Sequence, residues 1–331
     1  MKVIKWLAIA VVILGVIFIA VLFHFDKTVH QPLNIVEVTS YQVKPGQSAK
    51  GILNRLKDQG IISDSVGLKI RLKLEPALTQ VKVGTYELLP TMSALDLLTL
   101  FSSGKEQQFS ISLVEGLNWQ EWLLVLKSHP QIHFSDDFFQ QLEAFSAQFP
   151  HQSIEGYLLP DTYNFVAQTK AMSIVKRAHQ SMQLYLQQAW QNRAIDLPYK
   201  SAYEGLIMAS IIEKETGVAV ERPRISGVFV NRLNLNMRLQ TDPTVIYGMG
   251  EKFDGNIRRK DLKTATAYNT YVIKGLPPTP IAMASKAAID AAFHPIATDE
   301  LYFVSKGDGS HKFSITLQEH NLAVREYQLK K

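Results

Sequence analysis

From Trp6 to Phe23 the chain carries no charged residue, and apolar side chains fill almost every position. A run of that length is sufficient for a helix to cross a bilayer. Beyond it the periodicity changes. A polar connector at residues 26–34 leads into "IVEVTSYQVKPG", which alternates apolar and polar positions as a strand does and stops at Pro45-Gly46. "SAKGILNRLKDQGII" has helical spacing, with Ser48 placed to cap its start and Gly60 to end it. A second helix is expected from Ser65 to Lys73, a strand in "VKVGTYELLP", and a helix in "TMSALDLLTLFSSG" that stops at Gly104. Strand, helix, helix, strand, helix predicts a small α+β module over residues 35–108. It contains no grouping of carboxylate, His or Ser that suggests catalysis.

Residues 109–331 form a second region. "QFSISLVEGLNWQEWLLVL" reads as a strand and a helix, "SIEGYLLPDTYNF" as a packed turn around Pro160, and "AMSIVKRAHQSMQLYLQQAWQNR" as a helix of about twenty residues. Glu204 to Thr216 reads as a helix stopped by Gly217, and a last helix is expected at Leu317–Gln328. The expected class is α+β: one membrane helix, a small module, and a larger lobe.

Composition narrows the possible functions. An apolar fraction of 46% with 20% charged residues describes a folded chain. The net charge of +5 suits an anionic polymer or a membrane surface. No RNP motif, zinc-finger spacing or dense basic run is present, which argues against nucleic acid as a partner. With no cysteine, disulfides, Cys-ligated zinc and thiol catalysis are excluded. A cleaved signal peptide would need a small-x-small site after the apolar core; Val21–Phe25 is bulky there, and Ala8 and Ala10 come too early. A retained anchor is the expectation. Lys2 and Lys5 would hold a stub at 1–5 in the cytoplasm, with residues 6–25 spanning the inner membrane and the rest outside it.

The candidate chemistry begins at "ASIIEKETG". At about 100° per residue, Ile207, Met208, Ile211 and Ile212 fall within roughly 140°, with Glu215 near the middle of that sector and Glu213 on the far side. Desolvation by the apolar stripe and the negative end of the helix dipole both raise the pKa of a carboxyl. Glu215 could then hold a proton near neutral pH and donate it. A glutamate at the end of such a stripe also commonly reaches into water, so this stretch alone does not decide. Downstream, Arg238, Gln240, Thr241, Asp242, Thr244 and Tyr247 cluster around Pro243, which predicts a turn. Tyr268, Asn269 and Tyr271 precede a Gly-Leu-Pro-Pro bend. Amides, hydroxyls and aromatic faces suit sugars, although Asn269 and Asp242 could equally cap turns. No nucleophile-elbow, zincin or P-loop motif occurs, and the nine histidines are scattered. No metal or other cofactor is expected. Glycosidic cleavage by a carboxylic acid fits best.

Four blocks, "MASIIEKETGVAVERPRISGVFVNRL", "MRLQTDPTVIYGMG", "TAYNTYVIKGLPPTPIA" and "LYFVSKGDGSHKFS", together with "EGYLLPDTY" and "VKVGTYELLP", resemble the motifs of the endolytic murein transglycosylases, the YceG-like family. The resemblance covers essentially the whole chain; Thr279 stands where relatives often carry Gly. It implies a LysM-like module at 35–108, a catalytic domain at 109–331, and cleavage within nascent peptidoglycan strands at the inner membrane, with peptidoglycan synthases as possible partners. It implies that Glu215, in a Glu-Thr pair with Thr216, is the catalytic acid. Gln240, Asp242, Thr244, Tyr247 and Asn269 would hold the sugar, while Thr216 and Arg238 would support the site, and Glu213 would be either a further support or a surface charge. Two other readings stay open: a muramidase with Asp242 as base to a water, and a non-catalytic, tethered wall-binding protein.

Overall fold

The computed structural model describes residues 2–329; Met1 of the expected cytoplasmic stub, the side chains of Lys2 and Val3, and Lys330 and Lys331 lie outside the described set. The contacts divide the chain into two units, one of residues 1–109 with 164–167, the other of residues 110–163 with 168–331.

The first unit opens with α1 (Lys2–Val29), long and apolar enough to cross a membrane. The helix continues past the expected end at residue 25, and the expected connector is packed rather than free. Thr28, Val29 and Leu33 are buried, and the Leu33 N–H donates to the Met92 carbonyl at 3.1 Å. The apolar Val29 and Leu33 side chains account for this, because they have a core to enter. β1 (Thr39–Val43) follows, then α2 (Ala49–Asp58), α3 (Val66–Leu74), β2 (Gly84–Leu88) and α4 (Ala94–Ser103). β1 and β2 pair antiparallel with Tyr41 opposite Tyr86. Ser48 caps α2 by accepting from the Gly51 N–H at 3.2 Å. Ser93 and Asp96 form a reciprocal capping box on α4, and Gly104 ends that helix at φ +75°. Ile52, Leu53, Leu56, Leu97, Leu98 and Phe101 close the core beneath the two strands. Burial of each such side chain is worth about 1.5–3 kcal/mol.

The remaining elements are β3 (Gln108–Leu113), α5 (Trp119–Ser128), β4 (Ile132–His133), α6 (Phe138–Ser146), β5 (Asp161–Val166), β6 (Thr169–Lys170), α7 (Ala171–Gln191), α8 (Ala202–Glu215), α9 (Arg222–Asn234), α10 (Asp242–Met249), α11 (Lys286–Phe293), β7 (Tyr302–Ser305), β8 (His311–Ser314) and α12 (Leu317–Val324). α12 runs into a π-helical turn at Arg325–Leu329, so the last helix is α-helical over only part of its expected length. β4 and β6 pair in parallel, and β7 and β8 pair antiparallel. The class is α+β.

α8 is the axis of the second unit. Every residue from Gly205 to Ile212 is buried, and the helix packs against α9 and α11. Gly205 permits the α11 contact, since a Cβ there would lie 2.2 Å from the Phe293 ring. Pro243 does not form the expected turn. It occupies the first turn of α10, where its missing N–H would have had no intrahelical acceptor and its fixed φ suits a helix start.

Candidate active site

Burial of α8 on all sides changes the basis on which its two glutamates differ. The helical phase predicts an apolar side for Glu215 and a far side for Glu213, but Leu206 and Ala209 on that far side are buried as well. The structure separates the two carboxyls by their partners instead. One oxygen of Glu213 lies 3.5 Å from Arg222 Nη2, and the other accepts from the Ser285 N–H at 2.8 Å and from the Ser285 hydroxyl. Glu213 is thus a buried, paired carboxylate that joins α8 to the starts of α9 and α11. It is not a surface charge.

Glu215 is the last residue of α8, and among the described residues no cation bonds to it. Its Oε1 accepts from the Thr241 hydroxyl. Thr241 stands at the N-cap of α10, where a threonine hydroxyl ordinarily accepts from the first turn. It makes no such cap, so the hydroxyl is free to donate to Glu215. Burial raises the Glu215 pKa to about 7 against the opposing Thr241 hydrogen bond; Asp242 pushes it up and Arg232 pulls it down. A carboxyl with this value is present in both protonation states near neutral pH.

Glu215 opens onto a cavity of about 450 Å³ lined also by Arg232, Gln240, Thr241, Asp242 and Tyr271, with Tyr302, His311 and His320 among its other walls. Tyr271 donates to Asp242 Oδ1 at 2.6 Å. Arg232 is 7% exposed. Its guanidinium donates to the carbonyls of Leu301, Arg238 and Leu239, so its charge reaches the cavity without an ion pair to Glu215. His320 stacks on Tyr302, and its buried Nδ1 has no hydrogen-bond partner among the described residues. Burial, and then the Arg232 charge, hold the His320 pKa low, which favours the neutral ring.

The residues expected to hold sugar therefore divide. Gln240 and Asp242 line the cavity with Glu215; Thr244, Tyr247 and Asn269 do not. Thr244 is fully buried beneath it, donating to the Thr241 carbonyl at 2.7 Å and sharing a hydrogen bond with Thr270 at 2.8 Å. It supports the Thr241 loop. Asn269 is 1% exposed, and its amide donates to the carbonyls of Asp261, Leu262 and Thr264. All its donor capacity holds that turn, so the capping role applies. Thr216 is buried, and its hydroxyl accepts from the Val218 N–H at 3.0 Å, which shapes the exit from α8. The Arg238 side chain is exposed and outside the cavity wall; only its carbonyl takes part, by accepting from Arg232.

Tyr247 belongs to a second cavity, of about 890 Å³, lined by Trp119, Glu155, Lys214 and Pro243 among others. Glu155 also has its pKa raised to about 7 by burial, against hydrogen bonds from Trp119 and Tyr247. It differs from Glu215 in being occupied. Both of its oxygens accept from the Trp119 N–H at 3.1 Å, at the start of α5, and Oε2 accepts from Tyr247 at 3.2 Å. Replacing Glu155 by Gln preserves acceptor capacity at the α5 start. The activity that depends on Glu215 is expected to stay within a few-fold of the parent in that variant, measured as initial rates of product release.

Sequence reasoning placed Thr241 and Tyr271 in polar clusters suited to sugar without giving either a role, and did not select Arg232, Tyr302, His311 or His320. All six lie inside or beside the motif blocks quoted above, but only tertiary contact indicates which of those side chains face the cavity.

A family model described as "YceG-like family" matches residues 41–326. An endolytic murein transglycosylase of Bacillus subtilis (strain 168) is 30% identical over 92% of this chain and 89% of its own length. An endolytic murein transglycosylase of Streptococcus pneumoniae serotype 2 is 31% identical over 53% of this chain, which is 32% of that longer relative. The crystal structure of a yceG-like protein from Listeria monocytogenes superposes with a TM-score of 0.55 at 29% identity, covering 86% of this chain and 99% of the other.

Proposed function

The chain belongs to the YceG-like family, and from that membership and the setting of Glu215 we propose that it is a membrane-anchored endolytic lytic transglycosylase of peptidoglycan. The observation that carries the reading is the half-buried Glu215 carboxyl, with a pKa of about 7 and, among the described residues, only the Thr241 hydroxyl bonded to it, opening onto a cavity lined by amide, hydroxyl and aromatic groups. In the proposed reaction Glu215 donates its proton to the oxygen of the β-1,4 bond between N-acetylmuramic acid and N-acetylglucosamine. The bond to the anomeric carbon breaks as positive charge develops there. The Glu215 carboxylate then takes the proton from the muramoyl C6 hydroxyl, whose oxygen closes a 1,6-anhydro ring. The nucleophile is part of the substrate, so one carboxyl serves as acid and then as base. Gln240 and Tyr271 offer hydrogen bonds to sugar.

Asp242 in the same cavity keeps a hydrolytic reading in view, with Asp242 activating a water as in two-carboxylate glycosidases. Mass spectrometry of products from purified glycan strands separates the two. Internal fragments with 1,6-anhydromuramoyl ends are expected; reducing ends would make the protein a muramidase, and no cleavage by a folded protein that still binds glycan would make it a tethered binder.

The mechanism also fixes the sign of pH effects. Glu215 must be protonated to start the reaction, so the rate should fall as pH rises through about 7. Thr241→Val removes a hydrogen bond that favours the charged form, so the alkaline limb should move up. Asp242→Asn removes a repelling charge, so the limb should move down. Initial rates from pH 5 to 9 for the three proteins check this; shifts in the same direction would contradict the assignment.

The apolar α1 and the flanking lysines support a single-pass inner-membrane anchor with the catalytic domain, residues 109–331, outside. The β-α-α-β order of residues 35–108, with antiparallel strands, supports a LysM-like module. A protein so placed would cut nascent strands beside the synthases that extend them and so terminate elongation. Crosslinking in membranes tests that partnership.

A further inference from the structure

We propose that the face of α3 formed by Val66, Ile70 and Leu74 lies in the membrane–water interface, and that Lys69 and Lys73 along its edge bind anionic lipid headgroups. The proposal rests on α1 being a retained anchor and adds a second, peripheral contact between the small unit and the bilayer.

The argument starts from three apolar side chains that the fold leaves outside. Val66, Ile70 and Leu74 are 53%, 44% and 67% exposed, while Gly67, Leu68 and Leu72 on the same helix are buried in the core. At about 100° per residue the exposed three fall within roughly 80° of one another, a continuous stripe over two turns. Lys69 and Lys73 flank one side of it. Arg71 flanks the other, and its charge is taken by Glu75 at 2.8 Å. Among the described residues neither Lys69 nor Lys73 pairs with a carboxylate. An apolar stripe edged by unpaired lysines is the pattern of a helix lying in a membrane interface.

The height of α3 relative to the span identifies what covers the stripe. Gly67 packs directly on the end of α1: a Cβ there would lie 1.9 Å from Thr28 Oγ1 and 3.2 Å from the Phe25 carbonyl oxygen. Phe25 is two residues beyond Phe23, the last residue of the apolar run, and a helix rises about 1.5 Å per residue. Thr28 is five residues beyond Phe23, so the first turn of α3 sits between about 3 and 7.5 Å, measured along α1, from where the apolar surface of the span ends. Gln31 fixes this arrangement. Its Nε2 donates to the carbonyls of Thr28 and Asp64, each at 2.6 Å, and its Oε1 accepts from the N–H groups of Ser63 and Asp64 at 2.9 and 3.1 Å. When α1 is inserted, α3 is held at headgroup depth. The stripe then enters the acyl boundary, and the lysine stems can reach along it to phosphate.

The chain has no cysteine, so single labels need no background removal. The full-length protein, reconstituted in vesicles of phosphatidylcholine with or without phosphatidylglycerol, would carry bimane on Ile70→Cys, Leu74→Cys, the exposed α2 control Lys50→Cys, or Val16→Cys within the span. Labels at 70 and 74 are expected to be quenched several-fold more by lipid-borne nitroxide than the label at 50, and shielded from aqueous iodide. A basic side chain near an anionic surface is worth about fivefold in partitioning. Lys69→Glu with Lys73→Glu should therefore weaken quenching at 70 in the anionic vesicles and leave it nearly unchanged in the neutral ones. If 70 and 74 are as open to iodide as 50 while 16 is lipid-quenched, the interfacial face is overturned and the anchor stands. If 16 is itself in water, the anchor fails and the proposal falls with it. Quenching that ignores both lipid charge and the lysine changes would overturn headgroup binding.

Discussion

Glu215→Gln is expected to lower glycan cleavage by about 10³-fold or more while leaving the fold intact. One general acid or base step is commonly worth 10²–10⁴, and the proposed reaction uses this carboxyl twice. A glutamine keeps the size of the side chain and an oxygen able to accept from Thr241, but it cannot deliver a proton. Stability distinguishes a chemical loss from misfolding. The folded-state pKa of Glu215 lies above the ordinary 4.5 of a glutamate, so between about pH 4.5 and 7 the folded parent binds more protons than the unfolded chain. Its stability therefore falls as pH rises through that window. The glutamine variant lacks this fall and should be at least as stable as the parent at pH 8. A variant that is inactive, glycan-binding and no less stable at pH 8 would support a chemical role. Activity close to the parent's would remove Glu215 from the mechanism. Glu213→Gln supplies the contrast, because it weakens a buried pair with Arg222 and should reduce stability more than the chemical step.

Local rules governed what was legible in the sequence. Ser48 caps α2, and Gly60 and Gly104 stand at positive φ after α2 and α4, because capping depends on residues a few positions apart. Polar roles were harder to read because they depend on distant partners. Thr241 and Thr244 are fixed by Thr270, twenty-nine and twenty-six positions away, and Tyr247 by Glu155. Asn269, read as a sugar ligand or a turn cap, is consumed by its own loop. Pro243 was read by the ordinary rule for turns, yet a proline is equally suited to a first helical turn. Glu215 could be singled out, but helical phase did not explain how it differs from Glu213. That difference lies in Arg222 and Ser285 on one carboxyl and Thr241 on the other, which no periodicity in α8 encodes.

Arg232→Met should lower the folding free energy by roughly 3 kcal/mol or more and also move the alkaline limb of the pH–rate profile upward. The guanidinium is nearly enclosed and serves three backbone carbonyls. Each acceptor left unsatisfied costs about 1–3 kcal/mol, less where water can enter from the cavity. Its charge has a separate effect. Arg232 favours the ionised form of Glu215, so a neutral side chain raises the Glu215 pKa further and keeps the acid protonated to higher pH. Arg232→Lys separates the two contributions. A lysine retains the positive charge, but its point-like ammonium cannot span carbonyls at Leu301 and Leu239 as a planar fork does. It should restore the position of the limb while recovering only part of the stability. Denaturant unfolding and pH–rate profiles of the three proteins decide the matter. A limb that stays in place in the methionine variant would mean that Glu215 does not feel this charge, and the account of its pKa would then rest on burial, the Thr241 hydrogen bond and Asp242.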